Sequence, residues 1–249
     1  MVQYSVIIPA FNEEKLLPDT LAVLRDAMRV QDCDGELIVV DNNSTDETSR
    51  IARDWGANLV FEPYNQISRA RNAGLTVASG EYLVFLDADT ALNPELLRTA
   101  ISNLEGGKCC GGGSVLKFDR PAGSAQWAVD LWNWVSRRFG YAAGSFVYCL
   151  REGFEAVGGF SEAVYVGEEI WFSRKLKRWG GEHGMDFRVI PNAPVVTSGR
   201  KLEWHSPVQL IFQALLLVVF PIGTRFRSLC GQWYKRPEKV KGENERIED

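Results

Sequence analysis

Two carboxylates stand one residue apart at Asp87-Ala88-Asp89, directly after the apolar run Tyr82-Leu-Val-Phe-Leu86. Hard divalent cations such as Mg²⁺ or Mn²⁺ take oxygen ligands and commonly share them with substrate phosphates, so this pair has the donor chemistry for a metal-diphosphate group. An isolated Asp-x-Asp is a weak signal, because surface turns produce it often and Asp89 would serve equally well as a cap. It gains weight from two further polar clusters, Pro9-Ala-Phe-Asn-Glu-Glu14 and Asp41-Asn-Asn-Ser-Thr-Asp46, which also close apolar runs.

The elements that must position these clusters are written in short periods. Tyr4 to Ile8, Glu36 to Asp41 and Glu81 to Asp87 are β-branched or aromatic runs with a polar end, the pattern of buried strands. Leu16, Leu17, Leu21, Leu24 and Met28 recur at helical spacing between the first two. Ser44-Thr-Asp-Glu47 reads as a capping box, Ala57 to Glu62 as a third strand, and Gln66 to Ala78 as a helix stopped at Ser79-Gly80. Asn93-Pro94-Glu95 supplies a cap, an N1 proline and a first-turn acid for a helix through Leu104. Strand and helix alternate, which predicts a parallel sheet with helices on both faces and a ligand site beyond the carboxyl ends of the strands. The three polar clusters all fall at such ends.

From Gly111 the pattern becomes mixed. A glycine-rich strand (Gly111 to Phe118) precedes an aromatic helix carrying Trp127, Leu131, Trp132, Trp134 and Val135, then a strand from Ser145 to Leu150. Glu168 to Trp179 reads as a helix, and Phe187 to Ile190 and Pro194 to Thr197 as two short strands. The aromatic stripe, with Tyr141 and Phe146, is expected to be core, although such rings also stack on sugars or line an apolar groove.

The chain has 249 residues, 45% hydrophobic and 24% charged, and a formal net charge of -4. That balance excludes a disordered or polytopic membrane chain and offers no global field for a nucleic-acid backbone. The five cysteines form no CxxC pair, which points to a reducing compartment, and Tyr4 to Ile8 reads as a strand rather than a leader. The expected location is cytoplasmic. Residues 207-224 carry no charge and are followed by Arg225, Arg227, Lys235 and Arg236. The readings for this apolar helix are core or homodimer packing, or contact with the inner face of the membrane. A true span is the weakest reading, since it needs roughly 20 apolar residues. Residues 225-249 read as a basic, then charged, solvated tail.

In order along the chain, Val6-Ile-Ile-Pro-Ala-Phe-Asn-Glu-Glu14, Ile38-Val-Val-Asp-Asn-Asn-Ser-Thr-Asp46, Ala70-Arg-Asn-Ala-Gly74, Leu86-Asp-Ala-Asp89, Gly158-Gly-Phe160 and Gly167-Glu-Glu169 resemble the family 2 glycosyltransferases. Each segment alone is weak; six in the right order are not. The resemblance implies a GT-A fold, an α/β architecture with a Rossmann-like, mostly parallel central sheet, helices on both faces and a mixed acceptor-side half. It implies one catalytic domain over 1-206, with a donor half of about 1-110 and an acceptor half of about 111-206. Pro9, Ala10, Phe11, Glu13, Asp41, Arg71, Asp87 and Ala88 would then line the donor nucleotide. Asp89, Asp87 and, by a looser match, His205 would hold Mn²⁺ or Mg²⁺, with Arg200 near the diphosphate. His183 is a weaker metal candidate than His205.

Glu168 and Glu169 occupy the place of the family's Glu-Asp pair, whose second acid is the usual general base. Glu169 in place of Asp adds a methylene, so the base is left between the two, and acids also favour a helix N-terminus for its own sake. The implied chemistry is an inverting displacement: an acid takes the acceptor's proton while a nucleoside diphosphate leaves. The implied donor is a UDP-sugar, with GDP as the other option. The acceptor is a sugar, a lipid-linked group or a small molecule. Two alternatives stay open, a non-catalytic nucleotide-sugar-binding module at a membrane surface and a sugar-nucleotide nucleotidyltransferase. The latter lacks its glycine-rich loop after the first strand.

Overall fold

A computed structural model describes residues 1–120, 123 and 126–200. His205, the apolar stretch 207–224 and the tail 225–249 lie outside the described residues. The elements run β1 (Tyr4–Ala10), α1 (Leu17–Arg29), β2 (Gly35–Asp41), α2 (Thr48–Asp54), β3 (Asn58–Phe61), α3 (Ile67–Gly74), β4 (Tyr82–Leu86) and β5 (Thr90–Ala91). They continue with α4 (Pro94–Glu105), β6 (Cys109–Phe118), α5 (Gln126–Phe139), β7 (Phe146–Leu150), α6 (Arg151–Ala156), α7 (Glu168–Glu182) and β8 (Asp186–Thr197).

Eight strands form one sheet in the order β3-β2-β1-β4-β7-β6-β8-β5. The first four pair in parallel, as the alternating pattern predicts. β7 then runs antiparallel to both β4 and β6, and β8 returns parallel to β6. The chain leaves β1 toward β2 on one side and comes back to β4 on the other. The carboxyl ends of β1 and β4 therefore flank the point where strand order reverses, the position where open α/β sheets leave a crevice.

Both faces of the central strands are covered. Val6 and Ile8 of β1 pack with Leu17, Leu21 and Leu24 of α1 and Leu96, Leu97 and Ala100 of α4. Ile7, one residue out of phase, packs with Ile38, Phe85, Phe154, Phe160 and Phe172 on the opposite face. Period-two alternation between two apolar layers is why these strands read as unbroken hydrophobic runs. The Asn93 side chain accepts from the Leu96 N–H at 2.8 Å, the cap its sequence predicts for α4.

Several elements differ from the sequence reading. α3 ends at Gly74, short of the expected Ala78, and the chain goes on in tighter turns, the Leu75 N–H donating to the Asn72 carbonyl and the Thr76 N–H to the Ala73 carbonyl, each at 3.1 Å. The two short strands expected after residue 186 are one strand, β8, which tolerates an interruption by shifting register against β6 between Ser114 and Leu116. The largest correction concerns α5: Trp127, Leu131 and Trp134 are each about half exposed, and the helix buries Val129 and Ser136 instead. Phe146, in β7, is core as expected. Among the described residues no helix is long and apolar enough to cross a membrane.

Candidate active site

The loops after β1 and β2 are laced together by side chains that cap backbone groups of the opposite loop. The Asn12 N–H donates to Ser44 Oγ at 2.9 Å, the Glu13 N–H to Thr48 Oγ1 at 2.8 Å and the Glu14 N–H to Asp46 Oδ2 at 3.1 Å. In return the Thr45 N–H donates to Asn12 Oδ1 at 2.8 Å. Short polar residues compete for backbone groups in this way, and the left-handed conformation of Asn12 (φ 52°) is one that Asn tolerates. The expected capping box at Ser44 is consequently not formed. Asp46 Oδ1 takes the Thr48 N–H at 3.0 Å, while Ser44 serves Asn12.

Asp41 is buried, and its carboxylate turns to its own loop, accepting from the Ser44 N–H at 2.9 Å and from the Ser49 hydroxyl. Asn42, absent from the expected site, is the clasp of the next loop. Its Nδ2 donates to the carbonyls of Glu62 (3.1 Å) and Tyr64, and its Oδ1 accepts the Gln66 N–H at 3.0 Å. Gln66 in turn donates to the carbonyls of Glu162 (2.8 Å) and Val164 (3.0 Å), joining the two halves of the chain. Nothing in the local sequence marks Asn42 or Gln66, since their partners lie far along the chain.

At the end of β4, Asp87 and Asp89 diverge toward two arginines. Arg200, just beyond β8, meets the carboxylate of Glu13 with both terminal nitrogens and lies 3.1 Å from Asp89 Oδ2. Burial opposes its charge, but Glu13, Asp89 and Asp87 outweigh that, so its pKa is raised. Ala88 between the two acids is buried, its carbonyl accepting from Thr20 Oγ1 at 2.9 Å. Ala10 is likewise buried, and its carbonyl receives the Asn42 N–H at 2.8 Å.

Arg71 is almost wholly buried and is directed inward. Its guanidinium bonds Glu168 Oε1 at 2.6 Å, Asp87 Oδ1 at 3.0 Å and the Gly144 carbonyl at 2.6 Å, over the face of Phe160. Three acceptors fixed by one planar fork join α3, the end of β4, the loop before β7 and the start of α7. Gly167, at φ 77°, is the residue before α7, and this left-handed turn puts Glu168 and Glu169 in the helix's first turn.

Glu168 is held by Arg71, whereas Glu169 stays partly accessible. Burial first, then the charges of Glu168 and Asp87, push the Glu169 carboxyl up to about 8, against the opposing pull of Arg71. Gly144 lies close by: a Cβ on it would stand at contact distance, 3.5 Å from the Glu169 carboxyl carbon and 3.4 Å from Arg71 Nη2. Asp87, Asp89, Glu13, Arg200, Arg71, Glu168 and Glu169 thus form one chain of charges at the switch point. His183 sits exposed at the other end of α7.

Among the described residues no group of three or more metal-ligating side chains occurs. The carboxylates of Asp87 and Asp89 are hard oxygen donors, and Asp89 already faces a cation in Arg200. Two carboxylates suit a cation that takes its remaining ligands from a diphosphate and water.

An α/β sheet with an acidic crevice at its switch point is the architecture of the GT-A glycosyltransferases, and solved members of that group superpose on this chain. The mannosyltransferase of Pyrobaculum calidifontis, in complex with GDP-Man and Mn²⁺, covers 93% of this chain and 74% of its own, at 20% identity and a TM-score of 0.63. TarS of Staphylococcus aureus, in complex with UDP-GlcNAc, covers 87% of this chain and 67% of its own, at 20% identity and a TM-score of 0.60. The chain belongs to glycosyl transferase family 2, whose model matches residues 5–155. An uncharacterized glycosyltransferase of Mycobacterium tuberculosis is 32% identical over 134 residues, 53% of this chain and 54% of that relative. The chain therefore spans about half the length of the curated relatives it matches.

Proposed function

We propose that the chain transfers a sugar from a nucleoside-diphosphate sugar to an acceptor hydroxyl by an inverting single displacement, with Glu169 as general base. The observation that carries this reading is the pair Glu168-Glu169 facing the Asp87-Asp89 strand end across Arg71. One acid is fixed by the guanidinium. The other is partly accessible and has a carboxyl pushed up to about 8, closer to the operating range of a base than an ordinary glutamate.

Residues 1-206 form the catalytic unit in this reading. Pro9, Ala10, Phe11, Glu13 and Asp41 line the nucleotide, and a UDP-sugar is the expected donor with a GDP-sugar as the alternative. Relatives of this fold in complex with UDP-GlcNAc and with GDP-Man support the donor class. Asp89 and Asp87 would hold Mn²⁺ or Mg²⁺, which when bound offsets the charge of the leaving diphosphate. Arg200 adds a second cation at the same place, within reach of both Glu13 and Asp89. Arg71 is a positioning residue that fixes Asp87 relative to Glu168. Glu169 accepts the acceptor's hydroxyl proton as its oxygen bonds to the anomeric carbon, and the bond from that carbon to the diphosphate breaks on the opposite face.

Slow donor hydrolysis, with water as acceptor, tests the base without a known acceptor. Glu169→Gln is expected to lower it by about 10²–10⁴-fold while leaving donor binding intact. In the unaltered chain the rate should rise as pH passes through about 8, because the raised pKa keeps Glu169 protonated below that value. A Glu169→Gln chain that turns over normally moves the base to Glu168 or elsewhere.

A further inference from the structure

The exposed rings of α5 continue into α7 as one surface. Trp127, Leu131 and Trp134 follow the i, i+4, i+7 spacing of a single helix face, and they are 50%, 52% and 53% exposed. Such a stripe ordinarily faces a core. Trp134 meets Phe139 edge-on at 6.0 Å, and Phe139 stacks with Tyr141 at 6.5 Å. From there cations carry the surface to the second helix: Lys177 lies over Tyr141 at 4.9 Å, and Arg174 lies 5.6 Å from both Tyr141 and the exposed Trp171. Arg138 covers Phe139 at 5.4 Å.

The charge of this surface opposes that of the whole. In a chain of net charge -4, these two helices carry Arg137, Arg138, Arg174, Lys177 and Arg178, with Lys175 turned instead to the Val157 carbonyl at 3.2 Å. Outside the site their acids are Asp130 and Glu182, the latter paired with Arg178 at 3.2 Å. Exposed tryptophans beside arginines and lysines match the headgroup layer of an anionic bilayer, where the ring is half apolar and half wet and the cation meets phosphate.

We propose that the α5–α7 face docks on an anionic lipid bilayer. Two other occupants fit less well. A second copy, in a two-fold contact, would set this positive surface against itself. The chain's own uncharged stretch 207–224 could cover the rings but has no acid to answer the arginines, and it is followed by Arg225, Arg227, Lys235 and Arg236 of the same sign. The docking surface also borders the site. α7 begins with Glu168 and Glu169, and the chain from Phe139 reaches the Glu169 carboxyl at Gly144 within five residues. Resting on the transferase reading, the acceptor class this placement selects is a hydroxyl carried by a membrane lipid, presented at Glu169 from the bilayer side.

The test is co-sedimentation of the full chain with phosphatidylcholine vesicles, with and without phosphatidylglycerol. Two double variants, Trp127→Ser with Trp134→Ser and Arg138→Glu with Arg174→Glu, are compared with the unaltered chain. Binding to the anionic vesicles is expected, with at least about tenfold weaker partitioning in the charge-reversed variant and a comparable loss in the tryptophan variant. Undiminished partitioning of both variants would overturn the proposal and shift membrane contact to 207–249. Absent vesicle binding would also overturn it. In that case a dimer lost in the tryptophan variant identifies a second copy as the occupant, and a chain that is monomeric throughout points to 207–249. Nucleotide binding, measured on the same samples, keeps the two readings apart. Donor binding without vesicle binding ends only the docking proposal, and vesicle binding without donor binding ends only the transferase reading.

Discussion

The first hundred residues and the second hundred meet in one sheet but are built on different rules. β1 to β4 are parallel, buried on both faces and joined by helices whose apolar stripes face inward. Their loops close on one another through short polar side chains, as Asn12, Ser44, Asp46 and Thr48 do. β6 to β8 mix directions, absorb a register shift, and leave α5 with its aromatic face in solvent. The first half makes a rim for a polar ligand; the second brings Glu168 and Glu169 to that rim at the start of α7. The two depend on each other through Arg71, which belongs to α3 and grips the first residue of α7.

Breaking that bridge should have the largest effect on stability. Arg71→Gln leaves Glu168 and Asp87 without their guanidinium, and removing one partner of a buried pair costs about 3–5 kcal/mol. For a chain of this size a thermal midpoint lower by about 10 °C is expected in a calorimetric scan. A midpoint within about 2 °C of the original, well under the shift that loss implies, would mean that the halves do not lean on this contact.

Arg200→Gln sharpens the comparison more gently, because Arg200 meets the polar rim at Glu13 and Asp89. With the competing guanidinium gone, Asp89 should bind Mn²⁺ more tightly in the absence of nucleotide, while affinity for the diphosphate falls. A gain of about fivefold in metal affinity, read by Mn²⁺ paramagnetic resonance, corresponds to one ordinary ion pair of about 1 kcal/mol. Unchanged metal affinity would place the cation away from Asp89.

The first half was legible in sequence because each of its signals is local. Tyr4 to Ile8 and Tyr82 to Leu86 carry their burial in their own composition, and Asn93-Pro94 caps α4 as written. Asp87, Asp89, Glu168 and Glu169 were legible as chemistry through company, since each acid alone has an ordinary structural use as a turn, cap or helix-start residue, whereas six segments in order along the chain do not. What stayed hidden needed partners at long range. Ser44 forgoes its capping box for Asn12, 32 residues away in sequence, and Gln66 reaches across 98 residues to Val164. The inward turn of Arg71 depends on Gly144 and Glu168, neither of which a local window contains. The α5 stripe has the periodicity of a core helix, and periodicity reports an apolar face without saying what covers it.

The central claim is that the acids at the switch point hold a metal-bound nucleotide. Calorimetric titration of the full chain and of Asp89→Ala with UDP and then GDP, each with and without Mn²⁺, tests it most directly. Binding of one nucleotide that requires Mn²⁺ and vanishes in Asp89→Ala is the predicted result. Metal-independent binding, or Mn²⁺-dependent binding that survives Asp89→Ala, would contradict it.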